Sequence, residues 1–204
     1  MSTARTSSTE RALREVEQAG LLRARELNAL GISPTRLNAL ADEGRIVRLA
    51  RGLYSSLDYP LTESLDLILA ARLVPRAVIC LISALSFHNL GTQEPRQVWI
   101  AVPKGTKAPR LSRPTLRVVT FDGTAYSDGI EIHELGGTTV RIYSKEKTIA
   151  DVFRFRRRVG LDVALEALVA YVRSDDRNLP LLEKTAKRRG VLTALSPYLQ
   201  ALVA

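Results

Sequence analysis

Apolar residues recur along the first sixty positions in short runs at helical spacing, and each run ends at a turn former. Ser7-Ser8-Thr9-Glu10 has capping-box spacing. In that motif the cap hydroxyl accepts from the amide three residues on and the glutamate reaches back to the cap amide, which predicts a helix to about Gln18. A second short helix is expected over Arg23 to Leu30, with Leu27 and Leu30 on one face and Gly31 as its break. Ser33-Pro34 is the sharpest signal: a cap residue followed by proline at the first helical position, where its missing N–H costs nothing. The helix it starts runs to Glu43, with Leu37, Leu40 and Ala41 on one face, and Gly44 closes it. Residues 46–50 and 53–56 read as two strands joined at Arg51-Gly52.

After Asp58-Tyr59-Pro60, where proline disfavours helix on both sides, the pattern changes. The expected domains are 1–60 and 61–204. Leu61, Leu65, Ile68, Leu69 and Leu73 repeat at helical spacing around a Thr62 cap, and Ser83 to Leu90 suits a second helix. Strands are expected at Gln97 to Val102, Leu116 to Phe121, Ile130 to Leu135 and Thr138 to Tyr143, the last two joined by Gly136-Gly137. Ser144 caps a helix reaching about Phe155, and three more follow over Leu161 to Arg173, Pro180 to Arg189 and Val191 to Leu202.

Helix, helix, turn, helix and hairpin in that order make a winged helix-turn-helix, whose third helix enters the major groove of DNA while the hairpin lies over phosphates. The fold class expected is therefore α+β: an N-terminal winged helix-turn-helix, then a mixed α/β domain with a helical tail. On the third helix, Arg36 has the fork to read guanine, Asn38 suits adenine, and Thr35 can bond a base or a phosphate. Ser33 and the helix N-terminal amides are natural phosphate ligands, and Arg45, Arg48 and Arg51 add salt-sensitive attraction from the wing. The same polar residues also describe the solvated face of a small helical module that meets another protein.

Charge changes this picture more than composition does. At 204 residues, and roughly 150 per domain, the chain is one large domain or two small ones, with 46% hydrophobic and 25% charged residues. Thirty Lys and Arg against 21 Asp and Glu leave a formal +9, which favours a polyanionic partner. Residues 1–60 hold 9 basic and 7 acidic (+2), residues 61–140 hold 8 and 7 (+1), and residues 141–204 hold 13 and 7 (+6). Lys145, Lys147, Arg154, Arg156, Arg157 and Arg158 thus form a candidate second basic surface, with Lys147, Arg154 and Arg158 sharing a helical face with Asp151. It would meet nucleic acid or an acidic partner, or stand as a solvated face with local ion pairs.

Four blocks in sequence resemble the AbiEi family of antitoxins from type IV toxin-antitoxin, or abortive infection, systems. They are residues 44–54 (GRIVRLARGLY), 82–91 (ISALSFHNLG), 98–103 (VWIAVP) and 141–151 (RIYSKEKTIAD). The resemblance implies a DNA-binding winged helix that represses its own operon by binding promoter repeats in double-stranded DNA, in the setting of phage defence. It also implies a C-terminal domain that neutralises a nucleotidyltransferase-like toxin indirectly, without a stable complex. The alternative is a stand-alone DNA-binding regulator or adaptor whose C-terminal domain binds RNA or a protein, with no cognate toxin.

Catalysis is not expected. No acidic residue is followed two positions later by Lys, as a restriction-type nuclease core requires, and there is no Asp-x-Asp pair for two-metal transfer. His133 shares a strand face with Glu131, an acid–base pairing that a half-exposed polar strand explains as well. His88 reads as a satisfied core histidine and Cys80 as a small buried hydrophobe. No cofactor or metal is expected. The longest apolar run, at 77–85, is short of the roughly 18 residues of a membrane span, and the Ser/Thr-rich Met1 to Glu10 reads as a short arm lacking the apolar core of a signal peptide. The expected location is the cytoplasm.

Overall fold

The computed structural model describes residues 8–60, 62–109, 111 and 113–203; Ser7 of the expected capping box, most of the N-terminal arm and Leu61 lie outside them. The first unit runs α1 (Ser8–Ala19), β1 (Leu21–Arg23), α2 (Ala24–Ala29), α3 (Pro34–Asp42), β2 (Val47–Ala50) and β3 (Leu53–Ser55). Its three strands are antiparallel in the order β1-β3-β2. The added strand β1 separates the first two helices and pairs Leu21 with Ser55 and Arg23 with Leu53. Three residues carry no periodicity, which is why the sequence merges this strand into the flanking helices. With it, the winged-helix topology is complete.

Local chemistry sets the elements as expected. Ser33 Oγ accepts from the Arg36 amide and Pro34 occupies the first turn of α3; Gly44, at φ 69°, leaves that helix in the left-handed region. Ala12, Val16, Leu27, Ile32, Leu37, Leu40, Ile46 and Tyr54 pack the core of this unit. In the wing a register shift between Arg48 and Ala50 marks a bulge, and Gly52 turns the chain at φ 73°.

The second unit is a five-stranded mixed sheet flanked by helices. It runs α4 (Leu65–Leu73), β4 (Val78–Ile79), α5 (Leu81–Phe87), β5 (Val98–Pro103), β6 (Leu116–Phe121), α6 (Thr124–Ser127), β7 (Ile130–Leu135) and β8 (Thr138–Tyr143). The helical tail is α7 (Lys145–Arg154), α8 (Arg156–Val159), α9 (Leu161–Arg173), α10 (Leu179–Arg188) and α11 (Leu192–Val203). Strand order is β6-β5-β4-β8-β7; β5–β6 and β4–β8 are parallel, and β4–β5 and β7–β8 antiparallel. The two-residue β4 is the centre of the sheet although it reads in the sequence only as part of an apolar run. Helix α4 begins at Leu65 behind Ser64 rather than at a Thr62 cap, and α5 begins two residues earlier than Ser83.

Alternation along β5 builds a core on each face of this sheet. Trp99 and Ala101 point toward α7, α9, α10 and α11, while Val98, Ile100 and Val102 point toward α4. The second of these cores does not stop at the second unit: Leu21, Ala50 and Leu53 of the winged helix pack into it. Two polar ties cross the same seam. Arg72 Nη2 donates to Leu21 O at 2.8 Å and to Glu26 Oε2 at 2.9 Å, and Tyr59 Oη donates to Gly136 O at 3.3 Å.

Candidate nucleic-acid interface

Helix α3 turns Leu37 and Leu40 inward and leaves Thr35 and Asn38 exposed. Both larger polar side chains of this helix are held. Arg36 is half-buried: its Nε donates to Thr9 Oγ1 at 2.9 Å and its Nη1 lies 3.3 Å from Glu43 Oε1. Asn38 Oδ1 accepts from the Tyr54 hydroxyl at 2.9 Å, so the helix is bonded to the wing strand behind it. Ser33 Oγ is occupied by the cap bond to the Arg36 amide.

On the hairpin side, Arg45, Arg48 and Arg51 are all exposed. An exposed arginine at the hairpin turn and two ahead of it put cations on the kind of surface with which a wing meets phosphates.

The match to known families covers this same unit. Residues 10–56, from the first turn of α1 to the residue after β3, match the family model described as a transcriptional regulator, AbiEi antitoxin. The N-terminal module is similar to the AbiEi antitoxin family of transcriptional regulators over these residues. No curated protein matches the chain. The family it matches is one of transcriptional regulators.

Around the AbiEi module the structure adds cations that the sequence left unplaced. Arg113, between β5 and β6, lines one cleft with Arg51 and Arg23 and a second with Arg48. Arg23 caps α2 on the strand next to the wing and is flanked by Arg25. The signal in the sequence is the spaced run Lys104, Lys107, Arg113, which reveals charge and not what it lies beside.

The second basic surface needs correction. Lys147 is not on it: its side chain is 1% exposed, paired with Asp151, which is equally buried, and Asp151 Oδ1 also accepts from Arg189 Nε at 2.6 Å. The Lys147 ammonium sits 4.2 Å from the Tyr143 ring centre and 4.7 Å from that of Phe121. Burial holds its pKa below the ordinary value, opposed by Asp151. Nor does one helix carry the remaining residues, because α7 ends at Arg154 and the chain turns at Phe155 before α8. Lys145 pairs with Asp176 and Arg156 Nη1 donates to Phe153 O at 2.8 Å. Arg154, Arg157 and Arg158 are exposed, and Arg158 lies over the Trp99 ring at 5.6 Å.

The histidines group without forming a reactive site. His88 Nε2 bonds to Tyr143 O at 2.7 Å, and burial lowers its pKa. His133 Nε2 lies 3.1 Å from Glu131 Oε2, and its ring stands edge-on to Phe87 at 4.8 Å. Cys80 is fully buried, which pushes its thiol pKa up and away from nucleophilic use. Among the described residues no three His, Cys, Asp or Glu side chains converge as metal ligands, and no helix is long and apolar enough to cross a membrane.

Proposed function

We propose that this protein is a sequence-specific transcriptional repressor that binds repeats in its own promoter and serves as the antitoxin of a type IV system. In this reading residues 1–60 bind DNA, and residues 61–204 neutralise a nucleotidyltransferase-like toxin in the cytoplasm without a stable complex. The observation that carries it is the complete winged-helix topology, with Thr35 and Asn38 exposed on α3 and Arg45, Arg48 and Arg51 exposed around the wing.

The base-reading assignment is energetically consistent with the held side chains. The Arg36–Glu43 pair is more than a third exposed on both sides, so releasing it costs about 0–1 kcal/mol. A bidentate contact to guanine is worth about 1–3 kcal/mol of discrimination. Exchange of Glu43 for a base is thus favourable. Asn38 keeps its amide donors, and its carbonyl oxygen has a second lone pair besides the one facing Tyr54, so it retains the pattern that suits adenine. Arg45, Arg48 and Arg51 serve the backbone, joined by Arg154, Arg157 and Arg158 if the duplex reaches the helical tail.

Fluorescence anisotropy on the upstream DNA tests the repressor half. Saturable binding at least a hundredfold tighter than to a scrambled duplex is expected, and equal affinity for both rejects it. Co-expression with the neighbouring gene, scored for growth, tests the antitoxin half. Rescue of growth by the full chain is expected, whereas a neighbour that is harmless alone favours a stand-alone regulator.

A further inference from the structure

We propose that the seam between the AbiEi module and the second unit holds a binding site for a small phosphorylated ligand, received by Arg23, Arg51 and Arg113. These three arginines line a cavity of about 630 Å³ whose remaining walls are chiefly Leu73, Pro109 and Leu111. The volume suits a nucleotide-sized molecule. Among the described residues no carboxylate lines it.

The arginines are arranged for an anion. Arg23 Nη1 is buried and has no hydrogen-bond partner among the described residues. A buried donor without a partner is destabilising, the more so when it is charged. The crowding is electrostatic as well: burial first, then Arg25 and Arg72, hold the Arg23 pKa below its ordinary value, against Glu26. Glu26 is already engaged, accepting from the Arg23 amide at 2.6 Å and from Arg72 at 2.9 Å. Asp66 approaches Arg113 no closer than 3.9 Å. A phosphate entering here meets planar, forked donors matched to its oxygens and relieves the repulsion among them.

The walls decide between sources of phosphate. A backbone phosphate of duplex DNA brings no apolar body to cover Leu73, Pro109 and Leu111, whereas a nucleotide brings a base. Occupancy would also reach the wing. Gly52, beside Arg51, accepts through its carbonyl from the Ala24 amide at 2.9 Å, so the ligand lies between the wing turn and the fixed second unit. That consequence rests on the DNA-binding reading; the binding itself does not.

The test is calorimetric titration of the full chain with inorganic pyrophosphate and with ATP at fixed ionic strength. One saturable site is expected, tighter for ATP. Arg113→Ala, at an exposed position, and Arg23→Met are each expected to weaken it at least tenfold. Lys184→Ala, which removes the same charge from exposed α10, is expected to leave it unchanged; Leu111→Ser should narrow the preference for ATP. If Arg23→Met fails to fold, Arg113→Ala alone carries the comparison. No saturation by either compound, or equal loss in the Lys184 variant, overturns the site. So does a result in which the pocket variants weaken only duplex binding, which would assign these arginines to the DNA backbone. Pyrophosphate binding without any duplex binding upholds the site and rejects the repressor.

Discussion

The Tyr54 hydroxyl donates to Asn38 Oδ1 at 2.9 Å, joining the buried strand of the wing to the exposed face of α3. Tyr54 is 3% exposed and Asn38 projects outward, so one bond fixes how the amide proposed to read a base is presented. Tyr54→Phe is expected to lower unfolding free energy by about 0.5–1.5 kcal/mol, the usual net value of such a bond. Operator selectivity should fall in part, and adding Asn38→Ala should produce little further loss of stability while removing the remaining selectivity at that base. Urea unfolding together with anisotropy on operator variants checks this; fully additive losses would show that the two residues act separately.

Arg36 and Arg48 should fail differently. Arg36→Ala is expected to relax selectivity at one position by about 1–3 kcal/mol while leaving the slope of affinity against salt nearly intact. Arg48→Ala is expected to weaken all sequences alike and reduce that slope by about 0.9, the equivalent of one phosphate contact. Titrations of cognate and scrambled duplexes across a salt series distinguish them, and interchangeable behaviour would reject α3 as the reader.

The buried group Lys147, Asp151 and Arg189 holds two cations and one carboxylate, so its members are not equivalent. Asp151→Asn strands two cations, one fully buried, and is expected to cost about 3–5 kcal/mol, in the range seen when a buried pair loses one partner. Lys147→Met leaves Asp151 paired with Arg189 and removes the charge whose burial is most costly, so its cost should be distinctly smaller. Chemical denaturation ranks the two, and the reverse order would overturn this account of the core.

His88 gives the fold an acid limit. Burial is the main cause of its lowered pKa, set against the bond to Tyr143 O and the field of Glu131. A histidine whose folded pKa lies below its ordinary 6.5 is protonated first in the unfolded chain. Stability is therefore unaffected above that value, declines as pH falls from 6.5 toward the folded pKa, and levels off below it. Unfolding midpoints between pH 8 and pH 5 should trace this loss, and His88→Gln should flatten it.

Elements with their own punctuation are legible in the chain. Ser33-Pro34 and Ser144 cap α3 and α7 as read, and Arg51-Gly52 and Gly136-Gly137 turn the two hairpins. What stays hidden depends on partners distant in sequence. Strands β1 and β4 are too short to show a period and exist because β3, β5 and β8 pair with them. Lys147 reads as a surface cation because Asp151 at i+4 is also what an exposed helix face shows. Only Arg189, 38 positions on, and the aromatic rings around it reveal an interior. Arg113 likewise takes its meaning from a wing about sixty residues earlier in the chain.

Leu21, Ala50 and Leu53 belong to the winged-helix sheet by topology and to the core of the second unit by packing. Cutting the chain near Pro60 therefore uncovers apolar surface on both pieces. A ligand that binds only the folded winged helix stabilises whatever unfolds with it, so operator DNA would shield the far helical tail from proteolysis without touching it. On the proposed repressor reading, a cut at the seam would then leave neither piece with an intact core, and no winged-helix fragment would outlast the full chain on its promoter.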